Sequence, residues 1–458
     1  MNHFNKNISQ MFWFFVILFV VMGGWFVWVA NDDFTAHAFN ARVNMETAGT
    51  RGTIYDRNGV ALAISHNDNR LYPHGALFAH VVGYSGVSRA GLELSENFTL
   101  QRLNRELLQL TGAVIFDNEV IGNSVITTLD AQAQEMLFNG FGQNNGAAVV
   151  INVQTGAIVS MVSNPAFNPN TVGADWAGLI ADTRSPLLNR ASSGLYPPGS
   201  TFKLITALAA LEYDMDLLDF SMTCTGHHHF AGETLQCWGG NAHGEVDFMR
   251  AMAVSCNGFF AILAQMTPHE YMVQAAEQAG LFNQAVPFEL PSAIPLFMMQ
   301  YDAEIDEQIQ TSIGQGRTLA TPLNMALLTA GIANNGVIME PHLVGYVTGA
   351  SGNTVRTTSP SRLTHTMSEE IAYILRQSMV QTVQSGTGTP AAQAHTQIAG
   401  KTGTAQNATG IDHSWFVGFA PADEPRYVIS IIIENTGGGT RASTLAGQVL
   451  GQLVMRNE

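Results

Sequence analysis

Lysine is nearly absent from this chain, which has 458 residues and three lysines among its 20 basic side chains. Charge of either sign is scarce as well, because charged residues make up 12% of the chain, against ~25% in an average globular protein. The 36 acidic residues leave a formal net charge of −16, which excludes a nucleic acid partner because such binding needs a cationic surface. Disorder is excluded too, since hydrophobic residues make up 46% and aromatic residues 9% of the sequence.

A single long apolar run lies near the N-terminus, at Met11–Ala30. At 1.5 Å per helical residue, a run of this length crosses a hydrocarbon core of ~30 Å. Lys6 precedes the run, while Asp32 and Asp33 follow it, so the positive flank is expected inside and the rest of the chain outside. A cleaved signal peptide is the alternative, but the run is long for one and no A-x-A cleavage site follows closely. The sequence predicts a cytoplasmic tail (1–10) and a single-pass membrane anchor (11–30).

The external part alternates strand and helix patterns, which is typical of an α+β fold. Asn58-Gly59 lies between two apolar runs and predicts a β-hairpin with a type I′ turn. Gly146–Ser163 predicts two strands, and a second strand pair is expected at Asp412–Pro421 and Arg426–Thr436. We therefore expect an antiparallel sheet whose strands come from both ends of a domain, with helices on its flanks and an all-helical cluster between. The predicted external domains are a small mixed domain (31–145), called the pedestal below, and a larger C-terminal domain (146–458).

The second lysine stands in the segment Pro198–Lys203, where apolar spacing predicts a helix that begins near Ser200. Residues three apart share a helix face, so the Ser200 hydroxyl and the Lys203 amine can meet. A serine is a weak nucleophile until a base takes its proton, and lysine is such a base only when its pKa is lowered. This motif alone is short enough to arise by chance, and an ordinary helix start with a solvated lysine is the alternative.

The third lysine, Lys401, is followed by Thr402, Gly403 and Thr404. Small residues around a lysine suit a strand edge along which a substrate backbone lies. Lys401 and the two threonines are suited to bind a carboxylate through charge-assisted hydrogen bonds. Between the two lysine motifs lies Ser255-Cys256-Asn257.

Taken together, S-x-x-K, S-x-N and K-T-G in this order form the signature of the penicillin-binding and serine β-lactamase fold. The sequence resembles a class B penicillin-binding protein from the anchor to the C-terminus. Arg51–Gly59 and Gly91-Leu92-Glu93 look like two N-terminal motifs of that class. The region before the transpeptidase part is too short for a glycosyltransferase domain, which separates the chain from the bifunctional class A proteins.

This resemblance implies a D,D-transpeptidase that cross-links peptidoglycan stem peptides and is acylated by β-lactams. In this reading Ser200 attacks the D-Ala–D-Ala carbonyl and Lys203 accepts its proton. Ser255 relays a proton to the leaving amine, Asn257 positions the substrate, and Lys401 tunes the network. The other implied substrate contacts are the Thr402 and Thr404 hydroxyls, Gly403, and the backbone N–H groups of Ser200 and Thr404 as an oxyanion hole. No cofactor is required for this chemistry.

The same resemblance leaves other functions open. A D,D-carboxypeptidase or a β-lactamase has the same fold, and sequence does not measure how fast water resolves an acyl-enzyme. A mainly non-enzymatic β-lactam sensor or scaffold is a further alternative, although sensors usually carry several membrane helices. By resemblance alone, the partner of the pedestal is a polytopic peptidoglycan glycosyltransferase of the shape, elongation, division and sporulation family.

Cysteine is the other rare residue, with three copies that fall close together at Cys224, Cys237 and Cys256. Three thiolates and the imidazole of His243, which lies among them, complete a tetrahedral structural zinc site. The segment also resembles a zinc-binding stretch of some elongation-type penicillin-binding proteins. A Cys224–Cys237 disulfide with one free thiol, or three free thiols, are the alternatives. The triplet His227–His229 is expected as a solvated loop, although one member is able to replace His243.

Overall fold

The computed structural model describes residues 2–31, 50–66, 69–86, 88–101, 121–230, 233–299, 303–438 and 440–456. The predicted anchor lies in the first helix, Asn2–Asn31. Among the described residues, no helix has both the length and the apolar character needed to cross a membrane. The single-pass anchor therefore stays a prediction, and residues 32–49, which follow it, lie outside the described residues.

The strands and helices of the described residues alternate along the chain. The strands are Ile54–Tyr55 (β1), Ala61–His66 (β2), Asn69–Leu71 (β3), Ser124–Thr127 (β4), Gly146–Asn152 (β5), Ile158–Asn164 (β6), Ser221–Cys224 (β7), His227–Phe230 (β8), Glu233–Gln236 (β9), Gly244–Asp247 (β10), Val337–Met339 (β11), Val344–Thr348 (β12), Thr354–Thr357 (β13), Arg362–His365 (β14), Ala399–Ala405 (β15), His413–Ala420 (β16) and Tyr427–Ile433 (β17). The helices are Asn2–Asn31 (α1), Ala79–Val82 (α2), Leu92–Ser95 (α3), Asn97–Gln101 (α4), Ala131–Phe141 (α5), Val172–Ala181 (α6), Arg190–Ser193 (α7), Lys203–Tyr213 (α8), Phe248–Ala253 (α9), Asn257–Met266 (α10), His269–Gln278 (α11), Ile305–Ser312 (α12), Pro322–Ala333 (α13), Glu369–Ser385 (α14) and Thr440–Arg456 (α15).

A five-stranded antiparallel sheet in the order β15-β16-β17-β5-β6 forms the centre of the catalytic region. Its strands come from both ends of that region, as the sequence predicts. Successive side chains of β5 enter two different cores, because Ala148 and Val150 join one apolar cluster while Ala147 and Val149 join another. Helices α5 and α15 complete the first cluster, and helices such as α8, α9 and α13 complete the second. Burial on both faces fixes the position of β15, the edge strand of the sheet.

A six-stranded sheet in the order β13-β12-β4-β1-β2-β3 forms the N-terminal region. Two of its strands, β12 and β13, belong to the second half of the chain, so the predicted pedestal segment 31–145 does not build this sheet alone. The expected hairpin is present as β1 and β2, but its turn is not type I′. Gly59 has a φ of 85°, whereas Asn58 is not among the residues with positive φ. The Asp56 carboxylate instead accepts hydrogen bonds from the backbone N–H groups of Asn58 and Val60, and this fixes a longer turn.

Buried ion pairs connect the two N-terminal motifs. The carboxylate of Glu93 is 0% exposed and lies 2.6 Å from the Nε of Arg51 and 2.6 Å from the Nε of Arg70. A buried carboxylate is tolerated only when such partners replace its hydration. The motifs Arg51–Gly59 and Gly91–Glu93 thus stabilise the N-terminal region. None of their residues lines the cleft that contains the lysine motifs.

Candidate active site

Ser200 lies on a 3₁₀ turn, Gly199–Phe202, that leads directly into α8 at Lys203. The predicted helix therefore begins about one turn before its regular part. Gly199 has a φ of 53°, and a β-carbon there would lie 2.5 Å from the backbone oxygen of Thr404. This close approach needs glycine, and it holds the half-buried Ser200 against the end of β15.

The Lys203 side chain is fully buried, and its amine makes three contacts with the S-x-N motif. It donates to the backbone oxygen of Ser255 at 2.7 Å, to the Ser255 hydroxyl at 3.2 Å and to Oδ1 of Asn257 at 2.6 Å. Burial lowers the pKa of Lys203 to about 8, although the nearby Cys256 and Cys237 act in the opposite direction. A lysine in this state gives up its proton far more readily than one in water, which is the requirement for a base.

Ser200 and Lys203 do not hydrogen-bond to each other in this structure, because the Lys203 amine donates to the S-x-N motif instead. Catalytic hydrogen bonds are often long before the substrate is bound, so this geometry does not remove Lys203 as a base.

Ser255 joins the second motif to the third. Its backbone has a φ of 58°, in the left-handed region that serine seldom adopts. In this conformation its hydroxyl accepts a hydrogen bond from the amine of Lys401 at 2.8 Å, and Lys401 also donates to the backbone oxygen of Thr402 at 3.0 Å. Burial, together with the charge of Lys203, holds the pKa of Lys401 well below its usual value. Strained backbone at a site of convergent cations is typical of catalytic centres.

The K-T-G motif lies on β15, which in the described part of the chain pairs with β16 alone. The free edge of this strand is available for a substrate backbone. Thr402 and Thr404 both line a cleft of about 810 Å³ that also contains Ser200, Ser255 and Asn257. All three sequence motifs therefore meet at one cavity, with Gly403 between the two threonines.

Several residues of the cleft carry no motif in the sequence. The backbone oxygen of Gln236 accepts a hydrogen bond from the Asn257 amide at 2.7 Å, and the Thr387 hydroxyl lies 2.5 Å from that of Thr402. Trp238 is 66% exposed and lines the same cleft, as does Asp412. Sequence reasoning missed these positions because no spacing pattern links them to the three motifs; only the folded chain brings them there.

The three cysteines are buried and free, and they lie next to the S-x-N motif. The sulfurs of Cys224 and Cys237 are 3.7 Å apart, and those of Cys237 and Cys256 are 3.8 Å apart. A disulfide would require ~2.05 Å, so the expected alternative of a Cys224–Cys237 bond is not what the structure contains. A hydrogen bond with Cys256 lowers the pKa of the Cys237 thiol to about 4, and that of Cys256 is raised in return.

Two histidines approach this cluster. Nε2 of His228 and Nδ1 of His243 each lie 3.4 Å from the sulfur of Cys224. The ligand atoms of Cys224, His228, Cys237 and Cys256 all lie within 4.8 Å of one another. A β-carbon at residue 258 would lie 2.2 Å from the His228 ring, so Gly258 leaves room for it. His228, a member of the triplet expected as a solvated loop, thus takes the place predicted for His243, because its ligand atom and not that of His243 belongs to this group of four.

Three separations between ligand atoms of this cluster, from 3.4 to 3.8 Å, are close to those of a tetrahedral metal site. Zinc–sulfur bonds of ~2.3 Å at tetrahedral angles separate two sulfurs by ~3.8 Å, and a sulfur from an imidazole nitrogen by ~3.5 Å. Three thiols and one imidazole are a donor set that suits zinc in structural sites. Cys256 belongs to this cluster and also lies between Ser255 and Asn257, so the cluster and the catalytic motif share one short segment.

Comparison with known proteins agrees with this site. The family "Penicillin binding protein transpeptidase domain" matches residues 146–454. The peptidoglycan D,D-transpeptidase MrdA of Acinetobacter baumannii is 33% identical over 83% of this chain, although the match covers 65% of that protein's own length. The peptidoglycan D,D-transpeptidase PbpA of Mycolicibacterium smegmatis is 33% identical over 91% of this chain and 90% of its own.

A solved structure shows the same fold. Penicillin-binding protein A of M. tuberculosis, as an imipenem acyl-enzyme complex, superposes with a TM-score of 0.82 at 28% identity, over 89% of this chain and 99% of its own. By the domain match and by these relatives, the chain belongs to the penicillin-binding protein transpeptidase family and is a class B D,D-transpeptidase.

Proposed function

We propose that this enzyme cross-links peptidoglycan stem peptides through an acyl-enzyme on Ser200, and that β-lactams acylate the same hydroxyl. The observation that carries this proposal is the convergence of Ser200, two buried lysines and the free edge of β15 on one cleft. The relatives are named for D,D-transpeptidation, and a structural neighbour is an acyl-enzyme complex with a β-lactam.

In the first half-reaction, Oγ of Ser200 attacks the carbonyl carbon between the last two D-alanines. The proton of that hydroxyl passes to the neutral amine of Lys203, whose pKa is lowered by burial to about 8. The backbone N–H groups of Ser200 and Thr404 stabilise the oxyanion of the tetrahedral intermediate. The carbon–nitrogen bond then breaks, and terminal D-Ala leaves with a proton from the Ser255 hydroxyl, which takes a proton in turn from the Lys203 ammonium 3.2 Å away.

The substrate is held by charge and by the sheet edge. Its terminal carboxylate binds near Thr402 and Thr404, with Lys401 as the nearby positive charge, and its backbone extends along β15. Asn257, fixed by Lys203 and by the backbone of Gln236, is oriented to position the peptide. In the second half-reaction an amine of another stem peptide attacks the ester and gives up a proton to the neutral amine of Lys203. The ester bond then breaks, and Oγ of Ser200 takes this proton from Lys203.

The membrane and partner assignments are part of this proposal. Residues 11–30 anchor the chain in the bacterial membrane, with the catalytic domain outside. The N-terminal sheet, which includes β12 and β13, serves as the pedestal that contacts a polytopic glycosyltransferase. Support for these assignments comes from the sequence pattern and from the resemblance.

A structural zinc ion is a second element of the proposal. Cys224, His228, Cys237 and Cys256 are the residues that would hold it, and the separations of their ligand atoms support this set. A bound zinc ion would link the segment from β7 to β10 to the S-x-N motif. The reaction itself requires no metal or other cofactor.

The central test is labelling with a fluorescent penicillin. We expect Ser200→Ala to abolish a label that survives denaturation, whereas Ser351→Ala, an exposed serine in a turn, labels like the wild type. Persistent labelling of Ser200→Ala would contradict the proposal. Rapid loss of the label from the wild type would instead indicate a β-lactamase, and D-Ala release without incorporation of an added amine would indicate a carboxypeptidase.

A further inference from the structure

The two ends of the edge strand β15 have side chains of opposite charge beside them. Lys401 lies near its start, and Ala405 ends it opposite His413. Asp412 directly precedes His413, so its position is beside the far end of the strand. Ala405 is four positions after Lys401, which corresponds to about 13 Å at ~3.3 Å per residue. A cation and a carboxylate thus lie at opposite ends of the edge along which the proposed substrate extends.

The position of the nucleophile sets the direction of the substrate. Gly199, next to Ser200, packs against the backbone of Thr404 and Ala405. The scissile bond therefore lies at this level of the strand, and the terminal carboxylate lies on the Lys401 side. The remainder of the stem peptide consequently runs past Ala405 and reaches Gln406 and Asp412, which both line the cleft.

The Asp412 carboxylate is available for a ligand. It is half-buried, and neither a hydrogen bond nor an ion pair of its side chain occurs with any described residue. Its backbone is fixed, because the carbonyl oxygen accepts hydrogen bonds from the N–H groups of Thr436 and Gly437, each at 3.0 Å. Asn407 bonds to the backbone of Ile411 at 2.8 Å and so orders the loop before Asp412.

The charge of the cleft makes Asp412 distinctive. Among the described residues that line the cleft, Asp412 is the only acidic side chain, and arginine and lysine are absent from that lining. Lys203 and Lys401 are fully buried and do not belong to the lining of the cleft. A positively charged group that enters the cleft therefore meets one carboxylate, at the end far from Lys401.

We propose that Asp412 is a specificity-determining residue that binds the side-chain ammonium of the amino acid before the D-Ala–D-Ala pair of the donor. This inference rests on the proposed function and deepens it. A half-buried carboxylate gains substantially from a charge-assisted hydrogen bond to an ammonium, and the gain corresponds to a preference of about tenfold. Gln406, exposed beside it, offers an amide to the same group.

The test uses the full-length chain in detergent with two donor peptides. Both end in lysine–D-Ala–D-Ala; in one the lysine amine is free and in the other it is acetylated. D-Ala release is measured with an added amine acceptor, and rates are normalised to the amount of site labelled by fluorescent penicillin, which corrects for misfolded protein. We expect wild-type kcat/KM to be about tenfold higher for the free amine, and Asp412→Asn to reduce this ratio to about one.

The matched control is Asp423→Asn, which removes one negative charge from an exposed position in the turn between β16 and β17. It should keep the wild-type ratio, and Asp412→Glu should keep part of it. Equal ratios in the wild type and in Asp412→Asn would overturn the proposal, as would a wild type that does not discriminate between the peptides. Failure of the wild type to release D-Ala from either peptide would overturn the proposed function itself.

Discussion

Lys203 and Lys401 share one hydrogen-bond partner, the hydroxyl oxygen of Ser255, which lies 3.2 Å from the first amine and 2.8 Å from the second. Both lysines are fully buried, and their proximity disfavours two positive charges. When both amines donate to this oxygen, the proton of Ser255 itself must point elsewhere. The hydroxyl is thereby ready to donate to a leaving amine in the cleft.

The pH dependence of acylation should report Lys203. Its pKa is lowered to about 8 by burial, and a base acts in its neutral form, which predominates above the pKa. The penicillin acylation rate is therefore expected to rise about tenfold per pH unit below pH 8 and to level off above it. Stopped-flow acylation between pH 6 and pH 9.5 measures this.

The control for this profile is Lys203→Arg, which keeps the charge and cannot give up its proton at these pH values. It should lose at least ~100-fold in acylation rate at every pH. A wild-type rate that stays constant from pH 6 to pH 9 would argue against Lys203 as the base.

Lys401 should not be replaceable by arginine. A fixed positive charge alone would tolerate the exchange, but Lys401 is 0% exposed and its amine fits between Ser255 and the Thr402 carbonyl. A larger guanidinium in such a packed position costs ~1–3 kcal/mol and displaces its neighbours. We expect Lys401→Arg and Lys401→Met to lower the rate of acylation by ~10²-fold or more.

The second-order rate constant of penicillin acylation measures both variants, and melting temperatures show whether they remain folded. Wild-type acylation by Lys401→Arg would mean that charge alone is needed there. The result would then leave the retention of lysine at this position without a structural explanation.

The metal site makes a prediction that separates two histidines. Anaerobically purified protein should contain about one zinc per chain, since its four-ligand set matches structural zinc sites. His228→Ala should lose most of it, His243→Ala should lose less, and His229→Ala, an exposed neighbour, should retain it. Elemental analysis measures the metal, and chelation should lower the melting temperature.

Loss of zinc from His243→Ala but not from His228→Ala would assign the fourth ligand to His243. Metal-free protein with a Cys224–Cys237 disulfide would remove the site. These outcomes are independent of catalysis, because no step of the proposed reaction passes through the metal.

Local patterns in the sequence were sufficient for much of the fold. The sequence predicts the strand pairs at Gly146–Ser163 and Asp412–Thr436 because strands buried on both faces leave a nearly continuous apolar run, and both pairs are present. The predicted hairpin at Asn58-Gly59 is also present, but the predicted turn type is wrong. The Asp56 carboxylate accepts hydrogen bonds from the N–H groups of Asn58 and Val60, and these two bonds outweigh the preference of Asn-Gly for a type I′ turn.

Such local patterns do not predict contacts between segments that are distant in the sequence. The N-terminal sheet includes β12 and β13 from far along the chain, because tertiary packing pairs β12 with β4 and β13 with β12. The sequence favours a solvated triplet and allows one member to replace His243, but it does not say which; the fold places His228 beside Cys224, over Gly258. Asp412 carries no motif and enters the cleft only because β16 pairs with β15.

The sequence by itself determined the chemistry of this protein, because three motifs that contain two of its three lysines specify a nucleophile, a base and a carboxylate-binding strand. Only the tertiary structure decided how these groups interact. It buried both lysines, which lowers their pKa values, and it placed Ser255 between them. It also set a carboxylate at the far end of the substrate strand. Burial and proximity are properties of the packed chain, and no spacing of residues along the sequence encodes them directly.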